Sequence, residues 1–254
     1  MTRFPLRTQS VATSHEGQVR EHNEDSYVCL EEDGLWAVAD GMGGYDCGEW
    51  AAAILTRELG SEPLGASFET ACDEVAERIH RANQIIFEEA RGRGLRMGST
   101  IVALLVRDRC FAIFWVGDSR AYLLRGGALY QLSSDHSEVQ ELVERGILQP
   151  EEAEGHPMSH ILARAIGVAG AVEVDVIQDE VEPGDVFLLC SDGLHGCVGT
   201  EDIARLLAQD TPRRISESLL RLTLDRGAPD NVTLIAVMVS EPTMVPGRIA
   251  AVVP

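Results

Sequence analysis

Acidic residues occur at the ends of several apolar, strand-like segments of this chain. They are Glu24 and Asp25 before Ser26–Leu30, Asp40 after Trp36–Ala39, Asp118 after Phe114–Gly117, Asp192 after Phe187–Ser191, and Asp230 just before Val232–Val237. A single aspartate at such a place usually bonds to the backbone of its own turn. Strands of one sandwich end at a common edge, however, and carboxylates that converge there repel one another unless cations neutralise them. Because hard oxygen ligands favour Mg²⁺ or Mn²⁺, the pattern predicts a carboxylate site for these ions.

A carboxylate site of this kind suits the hydrolysis of phosphate esters. Two ions about 3.5–4 Å apart can clamp a phosphoryl group and make hydroxide from bound water near neutral pH. Arg20 lies shortly before Glu24, and a guanidinium in an acidic site can bind a phosphate through two hydrogen bonds. A surface ion pair explains Arg20 equally well.

The segments that carry these acids are predicted to be strands of an α+β domain. Ser26–Leu30 and Leu35–Ala39 flank an Asp33-Gly34 turn, which is a strong hairpin signal, and the glycines from Gly41 to Gly44 are expected to end the second strand. Further strands are predicted at Thr100–Val106, Phe111–Val116, Ala121–Leu124, Val172–Ile177, Val186–Cys190 and Val232–Val239. Because strands and helices occur in groups, the sequence favours sheets that pack on each other with helices outside.

Helices are predicted from apolar residues three and four positions apart. The longest runs from Ser67 to Arg91 with Ser67 as its N-cap. Others are expected from about Gly48, and over Asp135–Gly146, Glu201–Ala208 and Arg213–Arg226. Residues 1–10 are expected to be a short leader and residues 11–240 a single catalytic domain. A polar segment over about 144–164 is expected to form a flap, and residues 241–254 a disordered tail.

Composition excludes several classes of function. The chain has 254 residues, a net charge of −20 and no lysine, so it should repel nucleic acid and anionic membranes, and it has no lysine-dependent phosphate loop. Its six cysteines form no Cys-x-x-Cys pair, which favours reduced, buried thiols. No signal-like or membrane-spanning apolar run is present in the sequence, and a cytoplasmic location is expected.

Five short motifs occur in the order found in metal-dependent protein phosphatases of the 2C type, which the chain resembles from about Ser14 to Val239. They are Arg20-Glu-His-Asn-Glu-Asp25, Asp40-Gly-Met-Gly-Gly44, Gly117-Asp-Ser-Arg120, Ser191-Asp-Gly-Leu194 and Asp230-Asn-Val-Thr233. The resemblance implies a four-layer α-β-β-α sandwich with two central, mostly antiparallel sheets. It also implies hydrolysis of phosphoserine and phosphothreonine in proteins by a metal-activated water. As in bacterial members, the substrates would include a Ser/Thr kinase or its targets in a signalling system.

The same resemblance assigns a role to each residue of the site. The roles are Arg20 for the substrate phosphate, Glu24 and Asp25 as direct or water-mediated metal ligands, Asp40 as the bridge between two Mn²⁺ or Mg²⁺ ions with the Gly41 carbonyl completing one site, Asp192 and Asp230 as ligands of the second ion, and Asp118 with Asp192 for a weaker third ion. Residues from about Glu144 to Arg164 would form the flap over the site.

The general acid is the part of the site that differs from eukaryotic relatives. They carry a histidine after the Asp-Gly pair, whereas this chain has Met42. His195, three residues after Asp192, and His22, between Arg20 and Glu24, are the candidates for donating a proton to the leaving oxygen. A structural or exposed histidine explains either residue as well, and a metal-bound water is an alternative donor.

Two other site patterns and two other functions are alternatives to this interpretation. Cys72 and Arg78 have the spacing of a cysteine phosphatase, but they lie in the predicted long helix without a glycine, so Cys72 is expected in the core. His156 and His160 have a zinc-like spacing that Pro157 interrupts. A phosphoprotein-binding module without activity and a metal-dependent small-molecule phosphodiesterase remain as alternatives, although the retained aspartates favour a phosphatase. The sequence does not indicate an oligomeric state.

Overall fold

Two antiparallel sheets form the centre of the protein in a computed structural model that describes residues 6–43, 47–149, 152, 156, 158 and 161–241. The first sheet contains five strands, which in spatial order are β1 (Arg7–His15), β11 (Val232–Ser240), β10 (Val186–Cys190), β7 (Arg120–Arg125) and β8 (Ala128–Gln131). The second contains β2 (Asp25–Leu30), β3 (Leu35–Gly43), β5 (Ile101–Arg107), β6 (Cys110–Val116) and β9 (Asp175–Glu180), with β4 (Met97–Ser99) paired to the end of β3.

Helices cover the outer faces of both sheets. The helices among the described residues are α1 (Cys47–Leu59), α2 (Phe68–Arg93), α3 (Glu138–Glu144), α4 (Asp192–His195), α5 (Thr200–Leu207) and α6 (Pro212–Asp225). The apolar faces of α1 and α2 pack against the second sheet, and α4, α5 and α6 pack against the first. No helix within the described ranges has the length and apolar character needed to cross a membrane.

A third apolar cluster joins the two sheets face to face. Trp36, Val102 and Phe111 of the second sheet meet Phe187 and Ile235 of the first, and all five are buried. Strands buried on both faces have no polar side to expose, which explains the continuous apolar runs of β5, β6, β10 and β11. The arrangement confirms the predicted four-layer α-β-β-α sandwich.

The β2–β3 hairpin and the ends of helix α2 form where the sequence predicts them. β2 and β3 pair from Asp25–Asp40 to Leu30–Leu35 around the Asp33-Gly34 turn. Helix α2 begins after Ser67, whose side chain accepts a hydrogen bond from Thr70 N, and ends at Gly94 in the left-handed conformation. Both ends of α2 are therefore set by local capping residues.

Several predicted boundaries are wrong. The leader expected over residues 1–10 is wrong from Arg7 onward, because β1 pairs with β11 from Arg7–Ser240 to His15–Val232; residues 1–5 lie outside the described residues. The strand that Gly41 was expected to end continues to Gly43, because these residues pair with β4. The strand expected at Val172–Ile177 is β9, at Asp175–Glu180.

Other differences concern short or edge segments. The helix expected over Asp135–Gly146 is shorter in the structure, where it is α3. Neither β4 nor β8 was predicted. Part of the expected flap, namely residues 150, 151, 153–155, 157, 159 and 160, lies outside the described residues, as does the tail from residue 242.

Candidate active site

The predicted acidic residues converge at one end of the two sheets. Asp118 lies between β6 and β7, Asp192 begins α4 directly after β10, and Asp230 lies just before β11. A cleft of about 640 Å³ at this end is lined, among other residues, by Arg20, Glu24, Asp40, Gly41, Asp118, Asp192 and Asp230. Asp25 is not part of the lining; it pairs with Asp40 across the β2–β3 ladder, and its Oδ2 accepts a hydrogen bond from Ser191 Oγ at 2.8 Å.

The backbone of Asp40 is held by two hydroxyl residues, Ser99 and Thr100. Thr100 N donates to Asp40 O at 2.8 Å, and Asp40 N donates to Thr100 Oγ1 at 3.1 Å. Ser99 Oγ donates to Asp40 O at 2.9 Å. The hydroxyls of Thr100 and Ser119 are buried and lie 2.7 Å apart. This network fixes the point at which the Asp40 carboxylate enters the cleft. It could not be predicted from the sequence, because Thr100 and Ser119 are ordinary strand-end residues.

Gly41 lies where three segments meet. Its N–H donates to Glu24 O at 3.1 Å, and a Cβ at this position would lie 2.1 Å from Gly48 O and 2.6 Å from Glu24 O. A Cβ on Gly48 would lie 2.7 Å from Glu24 Oε1. Only glycine permits these approaches, so the two glycines allow β3 and the first turn of α1 to pack directly against Glu24.

Asn231 is a structural centre of the site that the sequence analysis did not assign. Its Oδ1 accepts a hydrogen bond from Glu24 N, and its Nδ2 donates to Glu16 O and His22 O, each at 2.9 Å. One buried amide thus ties the loop that carries Arg20 and Glu24 to the start of β11. The only signal was its place directly after Asp230.

Burial and mutual repulsion raise the pKa of most of these carboxyl groups. Burial is the larger cause at Asp40, whose pKa is raised well above its usual range, and repulsion by Asp25 and Asp192 adds to it. Burial also raises the pKa of Asp25 and of Asp118 to about 7, and it raises that of Asp192. Carboxyl groups crowded in this way are stabilised as anions by cations.

The donor set fits divalent cations with oxygen ligands. Asp25 Oδ1 is buried and has no hydrogen-bond partner in the described part of the chain, so it is an acceptor in need of a ligand or water. No three His, Cys, Asp or Glu side chains among the described residues are placed to hold one ion by themselves. Mg²⁺ and similar ions keep several waters and bind through one or two carboxylates, so this set of acids suits them without three side chains on one ion.

Arg20 lies at the mouth of the cleft, beside the acids. Its Nη2 is 2.7 Å from Asp230 Oδ2, and 55% of its side chain is exposed. The hydrogen bond to Asp230 and the negative field of Glu24 and Asp192 raise its pKa. Arg20 is therefore a charged group within the site, beside a predicted metal ligand.

Neither candidate general acid is among the described residues that line the cleft. His195 Nε2 lies 3.0 Å from Asp118 O, and burial lowers the pKa of His195 to about 4. A carbonyl oxygen only accepts, so Nε2 carries the proton of this hydrogen bond. The bond positions Asp118, and neutral His195 has no second proton to donate to a leaving group. His22 is exposed, and its carbonyl accepts from Asn231. Met42, in contrast, does line the cleft.

The rival sites can be placed as well. Cys72 is buried in α2, and burial raises the pKa of its thiol to about 11, which confirms a core residue rather than a nucleophile. All six cysteines are free. His160, one half of the zinc-like pair, lies outside the described residues.

The chain matches one known protein family over most of its length. The profile of the family described as protein phosphatase 2C matches residues 12–228. The chain belongs to this family. Membership confirms the predicted family and the fold that the resemblance implied.

The chain is also similar to characterised proteins of bacteria. It is 37% identical over 243 residues to the serine/threonine protein phosphatase PstP of Mycobacterium tuberculosis, a match that covers 92% of this chain and 46% of PstP. The chain thus spans about half the length of this relative. PppA, described as a key regulatory component of T6SS in Pseudomonas aeruginosa, has a TM-score of 0.86 and 38% identity, covering 92% of this chain and 98% of PppA.

A structure of the catalytic domain of PstP in complex with two manganese ions is also similar, with a TM-score of 0.82 and 34% identity. The match covers 93% of this chain and 100% of that domain.

Proposed function

We propose that this phosphatase domain hydrolyses phosphoserine and phosphothreonine in proteins with two Mn²⁺ or Mg²⁺ ions and a weaker third. The observation that carries the proposal is that Asp40, Asp118, Asp192 and Asp230 line one cleft in a chain of the protein phosphatase 2C family. A similar catalytic domain contains two manganese ions, which supports the same use of the carboxylates here.

The residues take distinct roles in this proposal. Asp40 would contribute to both ion sites, the Gly41 carbonyl and Glu24 to one of them, and Asp192 and Asp230 to the other. When bound, the ions supply Lewis acidity that neutralises phosphoryl oxygens and lowers the pKa of water. Asp118 with Asp192 forms the weaker third site. Asp25, held by Ser191 Oγ, would bind an ion directly or through a water.

Arg20 is proposed to bind the substrate phosphate. It lies in the cleft lining and is charged, and its guanidinium can form two hydrogen bonds to a phosphate. Because Arg20 also bonds to Asp230, a phosphate that enters the cleft would compete with Asp230 for the guanidinium.

The proposed substrates are phosphorylated proteins of the cytoplasm, including a Ser/Thr kinase or its targets. Six free thiols suit a reducing compartment, and the naming of similar bacterial proteins as serine/threonine phosphatases supports this substrate class.

Hydrolysis of a phosphoserine peptide, followed with chelator and with added Mn²⁺ or Mg²⁺, tests the proposal. Chelator should abolish turnover, and either ion should restore it. Full activity without metal would contradict the mechanism. Peptide binding without turnover in Mn²⁺ would favour a binding module, and preferential turnover of a cyclic nucleotide would favour a phosphodiesterase.

A further inference from the structure

A second depression lies beside the active-site cleft. This apolar groove, of about 590 Å³, is lined mainly by residues from the end of β3, the end of α2 and the turn at residues 167–168, among them Met42, Phe87, Ala90, Leu95 and Val168. Met42, Gly43 and Val168 line both the groove and the cleft. The groove is therefore continuous with the place where a phosphorylated residue must bind.

One wall of the apolar groove is fastened to the core. Gly167 N donates to Asn83 Oδ1 at 2.7 Å, and Asn83 Nδ2 donates to Ala169 O at 3.1 Å, with Asn83 buried in α2. Ile166 pairs with Ser99 through two backbone hydrogen bonds of 2.9 and 3.1 Å. A wall held in this way is preformed, so a bound segment does not have to order it.

The apolar groove combines exposed apolar side chains with unpaired positive charge. Leu95 is 45% exposed and Val168 60% exposed. Arg91 and Arg96 also line the groove, and neither forms a salt bridge with a described residue, in a chain whose net charge is −20. An acidic molecule repels acidic partners except where such arginines are placed, so the groove is complementary to a segment with both apolar and acidic side chains.

We propose that the apolar groove selects the protein substrate by holding an apolar side chain near the phosphorylated serine or threonine. Arg91 and Arg96 contact an acidic side chain next to it. The inference rests on the proposed function, since the phosphorylated residue occupies the adjoining cleft. A second copy of this chain on the groove is the competing occupant.

Phosphoserine peptides with leucine or alanine on either side of the phosphoserine, each with a neighbouring glutamate, test this subsite. We expect kcat/KM to be about tenfold higher for the best leucine peptide than for its alanine counterpart. Leu95→Asp should remove this preference, and Arg96→Glu should remove the preference for glutamate over lysine. Turnover of p-nitrophenyl phosphate, which has no flanking residues, should not change. Matched controls are Tyr130→Asp and Arg221→Glu, which alter exposed residues away from both depressions.

Fluorescence anisotropy of the labelled peptides without metal decides the inference separately from catalysis. Weaker binding of the leucine peptide to Leu95→Asp, but not to Tyr130→Asp, supports the subsite even if no peptide is hydrolysed, a result that would contradict only the proposed function. Equal binding and equal turnover of the leucine and alanine peptides by the wild type would overturn the inference. So would a change in sedimentation mass of Leu95→Asp with unchanged peptide selectivity, which would assign the groove to a self-interface.

Discussion

Asp192 is one of the buried, mutually repelling acids of the cleft. Burial and repulsion by Asp230 raise its pKa, and its neighbours in the cleft include Asp40. Asp192→Asn keeps the shape of the side chain and removes its charge, so we expect kcat for a phosphoserine peptide to fall by about 10² or more. Mn²⁺ affinity, measured by calorimetry, should fall in parallel.

Cys72→Ser is the control for this change. Cys72 lies in the core of α2 with a raised thiol pKa, so kcat should stay close to that of the wild type. Loss of turnover in folded Cys72→Ser together with normal turnover in Asp192→Asn would contradict the assignment of the site.

The Arg20→Ala variant tests whether the guanidinium at the mouth of the cleft binds the substrate phosphate. If its guanidinium binds the phosphate in the ground state, Arg20→Ala should raise KM about tenfold and change kcat little. Arg205→Ala is a matched control, because Arg205 is an exposed arginine paired with Asp202 at 2.6 Å, away from the cleft. Initial rates over a range of peptide concentrations separate the two parameters, and an unchanged KM would identify Arg20 as a partner of Asp230 only.

Sequence and structure differ in what they reveal about single residues. The acids of the cleft could be predicted because each stands in a local pattern, a buried strand followed by a turn. Asn231, Thr100 and Ser119 could not, because their roles depend on partners far away in the chain, such as Glu16 for Asn231. The orientation of His195 could not be predicted for a related reason, because it depends on a bond to Asp118 O, which is distant in the chain.

At the scale of elements, the first turn of α1 supports the end of the sheets that carries the cleft. A Cβ on Gly48 would lie 2.7 Å from Glu24 Oε1 and 2.9 Å from Gly41 C. Gly48→Ala should therefore displace Glu24 or the Gly41 carbonyl and lower Mn²⁺ affinity about tenfold, measured by calorimetry. The folded structure should be kept, because alanine favours the helix itself.

Gly92→Ala is the matched glycine substitution. Gly92 lies in α2, and a Cβ there would meet nothing within 4 Å. This variant should bind Mn²⁺ as the wild type does and gain about 0.5–1 kcal/mol in free energy of unfolding. Equal Mn²⁺ affinity of Gly48→Ala and the wild type would show that α1 does not position the ligands.

Element boundaries could be predicted where burial leaves a pattern in the sequence. β10 is buried along its whole length, and its bounds match the prediction Val186–Cys190. β1 and β9 are edge strands with partly exposed residues, so their apolar signal is weak. β4 pairs with the end of β3 and, through Ser99, with Ile166, and no local pattern marks three residues whose role is to extend a neighbour.

At the scale of the whole molecule, the sandwich places a group of acids at one edge of an already acidic protein. With a net charge of −20, the chain has no excess of basic residues to offset the repulsion in the cleft. Folding without metal therefore requires some of these carboxyls to keep protons. Metal binding releases those protons, so metal affinity should rise with pH.

The stability of the metal-free protein should consequently fall as pH rises. Asp25 and Asp118 have pKa values of about 7 in the folded protein, mainly because of burial, against an ordinary value of 3.8. Between these values the folded state binds more protons than the unfolded state, so stability decreases with pH across this window. Thermal unfolding in chelator from pH 5 to pH 8 should show a falling melting temperature, and saturating Mn²⁺ should oppose the fall.

Asp118→Asn tests the origin of this pH dependence, because the amide imitates the protonated carboxyl. The melting temperature of the metal-free variant should exceed that of the wild type by less at pH 5 than at pH 8, where the difference should be about 3 °C or more, since the variant has no charge to bury. With saturating Mn²⁺ at pH 8 the variant should gain less than the wild type, having lost an ion ligand. Asp225→Asn, which changes an exposed aspartate on α6, should follow the wild type throughout. A metal-free wild type that gains stability from pH 5 to pH 8, with Asp118→Asn unchanged in slope, would mean that Asp118 is already ionised in the folded protein. The edge of the sandwich would then tolerate its charges without a cation.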